Sequence, residues 1–356
     1  MLSNNGVISK AKEAKNQYAE AQTNDEKQLE ETSDWIDEME TGIKKVDGVP
    51  IPEGYYYVGG TKAKGLVISD NVADAGKYKT VTDGNIPQTK LVGNQWVWVP
   101  VETPSSLYTT VDAGVLLDGD TGVKTTKYTN SEIISGIMRV LPGRTIIYRE
   151  PDIVTSYDND ASAKTAGFSS LANMAETMVR EYEEMIASLE KYKGFYIGRY
   201  ELTANGEKTG ATQTCENGVN WYTLYKNCTT LAPGSKVKTR MIWGLQWDAT
   251  CKWLDSSGFS ITDSSTWGNY NNNTADGHGT KQKTGSSESW KANNIYDFAG
   301  NCREFTQEAN GTYGRAYRGG GYDVNGSNSP ASTRGNNYPT YPDSCYGSRP
   351  TLYLIP

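Results

Sequence analysis

The C-terminal part of this chain, from Phe259 to Pro356, is rich in Gly, Asn, Ser and Tyr. Residues that favour turns interrupt its short apolar runs, so few regular elements are expected there. No internal repeat is visible, and no second set of core residues is apparent after residue 50. The sequence therefore predicts one loop-rich domain after residue 50.

Regular elements are predicted mainly upstream of Phe259. The runs "GYYYVGG", "GLVISDN", "NQWVWVPV" and "GFYIGRYEL" are β-branched and aromatic, and they predict strands. One helix is predicted over Ser170–Tyr192, where the apolar residues recur at steps of three and four: Met174, Met178, Tyr182, Met185 and Leu189. A second, shorter helix is predicted over "IWGLQWDATCKWLDSSG". This mixture indicates the α+β class.

Residues 1–45 differ in composition from the rest. The stretch "ISKAKEAKNQYAEAQTNDEKQLEETSDWIDEME" has no Pro and no Gly and is polar on almost every side, which predicts a helix that needs a partner or a support. Gly48, Pro50 and Pro52 then interrupt it. We predict an N-terminal helical stalk over 1–45 and a domain over 46–356.

Charge and hydropathy limit the possible partners of the 356 residues. The formal net charge is −7, and no cluster of Lys and Arg is present to contact phosphates, so nucleic acid is not an expected partner. No run of 18 apolar residues occurs, so no membrane span is expected within them.

The five cysteines leave several pairings open. Cys215 and Cys228 are near enough in sequence to close a short loop in an oxidising compartment. Cys251 and Cys302 lie in apparent core segments, as buried thiols or as a bridge, and Cys345 is then left over. The alternative is that all five are free thiols.

Three motifs carry a family resemblance. "YDFAGNCREF" (296–305), the "RGG" block that begins at Arg318 and the closing "GSRP" (347–350) resemble the formylglycine-generating enzyme-like superfamily, also called sulfatase-modifying factors. The upstream "EGYYYVGGTKAKGLVISDN" and "WVWVPVE" extend the resemblance over most of residues 50–356. The resemblance implies a C-type-lectin-type fold, whereas function has to be argued from the site.

The ligands for the superfamily's redox chemistry do not appear at the expected places. The resemblance implies a pair of closely spaced thiols after the "RGG" block for copper, but residues 321–344 contain no Cys and Cys345 stands alone. Iron-dependent members need several His, and His278, in a Gly-flanked loop, is the single one. We therefore predict a protein without catalytic residues or a redox cofactor; the alternative is a copper oxidase that uses Cys345.

Relatives hold structural calcium near the "GNCRE" block, which makes Asn301 and Glu304 candidate oxygen ligands. The alternative interpretation is a hydrogen-bonded turn in which Glu304 forms an ion pair with Arg318 or Arg303. The turn is the favoured prediction.

Five residue types are missing from the end of the chain. Residues 309–356 contain no Glu, Lys, Gln, Trp or Met, although these types occur 71 times in the preceding 308 residues. At that frequency about eleven would fall in the last 48 residues. Loops suit Lys and Gln, so a loop-rich composition does not explain their loss.

A genetic mechanism accounts for the missing set. Randomising the first two bases of an AA-pyrimidine Asn codon yields every amino acid except these five. The segment thus resembles the variable regions of proteins diversified by retroelements, which display changeable side chains on a C-type-lectin-type fold. We predict a variable ligand-binding region over about 316–349, held by framework residues that include Arg318, Gly319, Gly320 and Arg349.

The candidate face consists of the changeable positions in this region, where Tyr offers rigid contact area and Asn and Asp offer polar specificity. These positions are Tyr322, Asp323, Asn325, Ser329, Thr333, Asn336, Asn337, Tyr338, Tyr341, Asp343, Ser344 and Tyr346. The expected partner is a protein or glycan on another cell, a phage or a host surface.

The first residues carry a second resemblance. "MLSNNGVISKAKEAK" is similar to surface proteins of gut Firmicutes with a type IV pilin-like start, in which this stretch follows a hydrophobic prepilin helix. The resemblance implies an extracellular protein anchored at the cell surface through a helix missing from this sequence. An ordinary solvated helix is the alternative for the segment, and a pilin-like structural or adhesive subunit is an alternative for the protein.

We predict that removing residues 1–45 leaves the stability of the domain nearly unchanged, because the segment is polar and precedes a Gly/Pro break. The thermal midpoint should shift by roughly 2 °C or less, which corresponds to under about 1 kcal/mol. A fall of many degrees in a calorimetric scan of the shortened chain would show that the segment packs into the core.

Overall fold

A computed structural model of the protein describes residues 42–87, 90–102, 139–140, 147–148, 154–203, 214–232, 236–310 and 314–356, with scattered positions between 12 and 39. The chain divides into two compact units, Met1–Pro52 and Glu53–Pro356.

The first unit contains helical positions and one hairpin. Residues 12–18 and the other described positions up to 39 are helical and exposed. Strands β1 (Lys44–Val46) and β2 (Val49–Ile51) pair antiparallel through a turn at Asp47 and Gly48. A continuous stalk helix and a boundary at residue 45 stay predictions.

The second unit combines helices and short strands within many loops. Its helices are α1 (Asp160–Thr165), α2 (Leu171–Tyr192), α3 (Trp221–Cys228) and α4 (Gly244–Ser256). Its strands are β3 (Tyr56–Gly59), β4 (Val67–Ser69), β5 (Gln95–Pro100), β6 (Arg139–Val140), β7 (Ile147–Tyr148), β8 (Gly194–Gly198), β9 (Val237–Met241), β10 (Lys291–Ala292), β11 (Ile295–Tyr296), β12 (Arg303–Asn310), β13 (Gly314–Arg318), β14 (Arg334–Asn337), β15 (Tyr346–Ser348) and β16 (Pro350–Leu354).

A six-stranded sheet in the order β3-β4-β5-β8-β16-β9 forms the main layer. All its described pairings are antiparallel. The apolar runs that predicted β3, β4, β5 and β8 are its strands, so those predictions are confirmed. Trp96 and Trp98 of β5 are almost fully buried, as an apolar run in a central strand requires.

Helix α2 packs on this sheet against β8 and β16. The Ser170 side chain accepts a hydrogen bond from Asn173 N–H at its start, and Lys193 ends it in the left-handed conformation at φ +60°. All five apolar residues whose spacing predicted the helix are buried. The shorter helix predicted over 242–258 is α4. Both helix predictions are confirmed.

A four-stranded sheet, β14-β13-β12-β15, forms a second layer in the region expected to be mostly loop. Its strands escape a hydrophobic-periodicity search because polar residues occupy buried positions. In β12, Glu304, Thr306, Gln307 and Glu308 are all buried, and each side chain makes at least one hydrogen bond inside the protein.

Arg349 joins the two sheets. It lies between β15 and β16 and is fully buried. Its Nε and Nη2 atoms donate to the Glu304 carboxylate of β12 at 2.7–3.1 Å. Its Nη1 atom donates to the Gly198 carbonyl at the end of β8 (3.0 Å), and Nη2 also donates to the Tyr296 carbonyl (2.8 Å). One guanidinium therefore holds both sheets in register.

The ion-pair partner predicted for Glu304 was wrong. Arg318 pairs with Asp248 of α4, and Arg303 pairs with Asp323. In β12, residue 303 faces away from residue 304 because side chains alternate along a strand, so Arg303 was not available to Glu304.

Glu304 belongs to a buried acidic cluster. Glu201 and Asp297 are also buried, and all three carboxylates interact electrostatically with Arg349. Burial raises the pKa of all three, that of Asp297 to about 6. Asp297 therefore holds a proton in the native state at mildly acidic pH, while Glu304 lies against the Arg349 guanidinium.

In the described part of the chain, no helix is both long enough and apolar enough to cross a membrane.

We predict that Arg349→Met destabilises the domain by about 3–5 kcal/mol, because it leaves Glu304 buried without its cation. The double variant Arg349→Met/Glu304→Leu should lose less than the single variant, since it removes both charges. Arg180→Met, a change at an exposed arginine of α2, serves as the control and should cost about 0.5 kcal/mol or less. Urea denaturation measures all three; equal losses for the single and double variants would contradict the ion-pair account.

The contribution of Asp297 to stability should fall as pH rises from about 4 to about 6. A carboxyl whose pKa is raised in the native state binds protons more tightly there than in the unfolded chain, so its contribution is lost as it ionises. For Asp297 the loss is roughly 1–3 kcal/mol between its ordinary pKa and about 6. Asp297→Asn should reduce the slope of unfolding free energy against pH, whereas Asp255→Asn, at an exposed position, should not. An unchanged slope in Asp297→Asn would refute this assignment.

Candidate functional site

The candidate face begins at a turn that needs glycine. In the turn 318–321, Gly319 and Gly320 have φ angles of +85° and +69°. A Cβ on Gly320 would lie 2.1 Å from the Ser329 carbonyl oxygen. The Tyr270 hydroxyl donates to the Gly319 carbonyl at 2.7 Å. The turn therefore brings the chain tightly around a buried tyrosine, which only glycine permits.

The loop from 322 to 333 is held by its main chain. Residues of the segment 260–273, of α4 and of the "GNC" block bond its peptide groups. The bonds are Tyr322 N to Asn301 O (3.0 Å), Asn271 N to Val324 O (3.0 Å), Gly326 N to Asn272 Oδ1 (3.0 Å), Ser264 N to Gly326 O (3.0 Å), Ala331 N to Ser264 Oγ (3.0 Å) and Trp247 Nε1 to Ala331 O (2.9 Å). None of them uses a loop side chain.

The loop from 338 to 345 is held in the same way. Its carbonyl oxygens accept hydrogen bonds from groups outside the candidate face. The hydrogen bonds run from Trp221 N to Pro339 O (3.0 Å), Gly218 N to Asp343 O (2.9 Å), Lys281 Nζ to Ser344 O (3.0 Å) and Arg303 N to Cys345 O (2.9 Å). Most of these contacts therefore do not depend on which side chains the loops carry. Exceptions are the Asp323–Arg303 ion pair, the Ser332 hydroxyl, which donates to the Ile261 carbonyl (2.7 Å), and the Asp343 carboxylate, which accepts from the Cys345 N–H (2.7 Å).

The twelve predicted positions sort by exposure. Five are exposed: Asp323, Asn336, Tyr338, Tyr341 and Ser344. Six are half-buried: Tyr322, Asn325, Ser329, Asn337, Asp343 and Tyr346. Thr333 is 6% exposed and lies below the surface. Tyr338 and Tyr341, 52% and 55% exposed, present the largest apolar area among the twelve.

An aromatic group lies beside these positions on the second sheet. The Tyr346 ring stacks on Phe305 with centroids 5.1 Å apart and meets Tyr317 edge-on at the same distance. The Arg303 guanidinium lies 5.7 Å from the Tyr346 centroid, and its Nη1 atom pairs with Asp323 at 2.9 Å. Tyr346 therefore contributes packing as well as surface.

Tyr322 and Cys345 form a polar contact on the same surface. The Tyr322 hydroxyl lies 3.6 Å from the Cys345 sulfur. This hydrogen bond is the main cause that raises the pKa of Tyr322 to about 12. The hydroxyl therefore stays neutral at physiological pH and can serve a ligand as donor or acceptor.

Sequence reasoning missed three residues that contact the candidate face. Tyr157 packs on Tyr338 with ring centroids 4.9 Å apart. Lys281 and Arg303 hold the second loop and Asp323. All three lie outside the segment with the missing residue types, so that compositional signal could not identify them. Strand alternation along β12 did indicate that Arg303 faces away from Glu304.

The suggested cysteine pairings were wrong. Cys215 is bonded to Cys302, while Cys228 and Cys251 are buried free thiols and Cys345 is a half-buried one. The Glu201 carboxylate and the two bonded sulfur atoms all lie within 4.8 Å of one another. While the sulfurs are joined as a disulfide, neither offers a thiolate to a metal.

The candidate calcium ligands have protein partners. The Asn301 Nδ2 atom donates to Glu201, and its Oδ1 atom accepts from Asn269 and Gln282. The Glu304 oxygens accept from Arg349. This geometry is the hydrogen-bonded turn that the sequence favoured.

No protein-family model and no curated protein matches the chain. Among solved structures it is similar to Treponema denticola variable protein 1, with 17% identity over 46% of this chain and 85% of that one and a TM-score of 0.33. CarF is similar at 15% identity over 46% and 87%, with a TM-score of 0.33. The Major Tropism Determinant U1 variant is similar at 14% identity over 88% and 80%, with a TM-score of 0.32. Similarities at this level assign no function to this chain.

We predict a split in stability among candidate positions. Tyr341→Ser and Asn336→Ser should change the free energy of unfolding by about 0.5 kcal/mol or less, because both residues are exposed. Tyr346→Ser should cost about 1–3 kcal/mol, since it removes the ring that packs on Phe305 and Tyr317. Urea midpoints compare the three variants, and a loss for Tyr341→Ser as large as that for Tyr346→Ser would place Tyr341 in the core.

Proposed function

We propose that the second unit is a non-catalytic display domain of the C-type-lectin type, which binds a macromolecular ligand through the candidate face. The ligand is a protein or glycan on another cell, a phage or a host surface. The domain acts at a cell surface, as the pilin-like resemblance of the first residues implies.

The observation that carries this proposal is the way the two loops are held. Both loops bond to their surroundings mainly through peptide groups, and the exposed side chains at Asn336, Tyr338 and Tyr341 are not needed for those bonds. A surface built this way tolerates side-chain replacement without loss of the fold. That is the property a diversified binding surface requires.

The composition of the face supports recognition rather than catalysis. Tyrosine supplies contact area at a low cost in conformational entropy, and Asn and Ser supply adaptable hydrogen bonds. Retroelement diversification of residues 316–349 explains both this composition and the five missing residue types.

The copper-oxidase alternative has no observation in its favour among the described residues. It needs two neighbouring thiols, whereas the polar contact described for the Cys345 sulfur is with Tyr322, and Cys215 and Cys302 are joined to each other. The pilin-subunit alternative likewise gains nothing from the described part of the first unit.

The test is binding of the purified full chain to a glycan array and to an array of bacterial and host surface proteins. For any hit, Tyr338→Ser and Tyr341→Ser should each weaken binding at least about tenfold, the effect expected of a central aromatic contact. Val92→Ser is the matched control, because Val92 is 54% exposed and lies outside the candidate face.

The proposed face would be contradicted if Val92→Ser weakened binding of a hit as much as the tyrosine changes do. It would also be contradicted if neither tyrosine change altered the affinity. Circular dichroism of each variant separates loss of binding from loss of folding.

A further inference from the structure

Strand β14 is a sheet edge within the candidate face. In the order β14-β13-β12-β15 it is the terminal strand, and β13 is the strand that pairs with it in the described part of the chain. Among the described residues, the main-chain groups of 335–337 make no backbone hydrogen bond outside that pairing. Every second residue of an edge strand turns its N–H and C=O outward, so this stretch offers backbone donors and acceptors to a partner.

Among the described residues, this edge lacks several of the features that protect an edge from pairing. Natural edge strands are protected by outward Lys, a Pro, a bulge, a covering loop, an inward-pointing charge or a very short length. β14 is four residues long and the side chain of Arg334 turns inward to an ion pair with Glu308, but residues 335–342 contain no charged residue and no described loop covers them. Pro339 follows the strand instead of lying within it. The open edge therefore coincides with the surface proposed to bind.

Aromatic rings flank the edge. A Cβ at Gly335 would lie 2.3 Å from the Tyr317 hydroxyl oxygen, so this ring crosses the strand at Gly335. At the other end Tyr338 packs on Tyr157 with centroids 4.9 Å apart and keeps 52% of its surface exposed. A chain lying along β14 would meet a ring near each end of its path.

Resting on the proposed function, we propose that the ligand is a protein and that it binds by adding an extended segment to β14. Main-chain hydrogen bonds to β14 supply a share of the affinity that does not change when diversification replaces the side chains. Alternate side chains of the added strand meet positions 336 and 338, which set specificity. A glycan does not match this edge, because sugar hydroxyls do not repeat with the spacing of a β-ladder.

The test uses a phage-displayed library of random peptides about twelve residues long, twice the roughly six residues that would cover β14 and both flanking rings. Selected peptides are resynthesised with single N-methyl groups at each position. N-methylation should weaken binding about tenfold or more at alternate positions and little at those between them, because only alternate N–H groups face β14. Hydrogen exchange of residues 335–337 should slow when the peptide is bound.

Asn336→Lys places a charge on the edge and should weaken peptide binding about tenfold, whereas the matched Val92→Lys, at an exposed position outside the candidate face, should not. Peptides whose affinity depends on Tyr338 but tolerates every N-methyl group would overturn strand addition and leave the display face standing. Peptides whose binding is unaffected by every change at 336, 338 and 341 would contradict both strand addition and the proposed display face. A library that yields no binder while a glycan hit depends on Tyr338 would overturn strand addition alone.

Discussion

The structure depends on one buried ion pair, between Arg349 and Glu304. Arg349 lies where the chain passes from the second sheet, at β15, to the first, at β16, and its guanidinium also binds carbonyl groups of Gly198 and Tyr296. A charge pair of this kind does little for stability compared with an apolar replacement, but it accepts only one geometry. It therefore fixes the angle and register at which the second sheet, with its loops, stands on the first.

Similar arginine–carboxylate ion pairs lie beneath the candidate face. Arg315, Arg318 and Arg334 each pair with a carboxylate from another part of the chain: Asp158, Asp248 and Glu308. The framework is thus internal and polar, while the loops carry exposed side chains and bind the framework mainly through peptide groups. Separating these two sets of contacts lets the surface change while the fold stays the same.

Hydrophobic periodicity predicted the first sheet and its helices because their buried positions are apolar, as in β5 and α2. It failed for β12–β15, where buried positions hold Glu, Gln, Thr and Arg that become compatible with a core only through partners distant in sequence. Arg318 and Arg349 were predicted to be framework residues, but the Glu304 partner and the Cys215–Cys302 bond depend on long-range contacts that no local pattern contains. The contribution of Tyr157 was hidden for the same reason.

The central claim is that the loops of the candidate face are held mainly through their peptide groups and little through their side chains. The most direct measurement is protease resistance across a library in which the eleven exposed or half-buried candidate positions are randomised together, displayed on yeast and sorted after trypsin and chymotrypsin treatment. The account predicts that most members resist proteolysis like the parent, with constraint concentrated at Tyr346. Resistance confined to members that retain the parental residues at most positions would show that these side chains hold the fold, and would contradict the account.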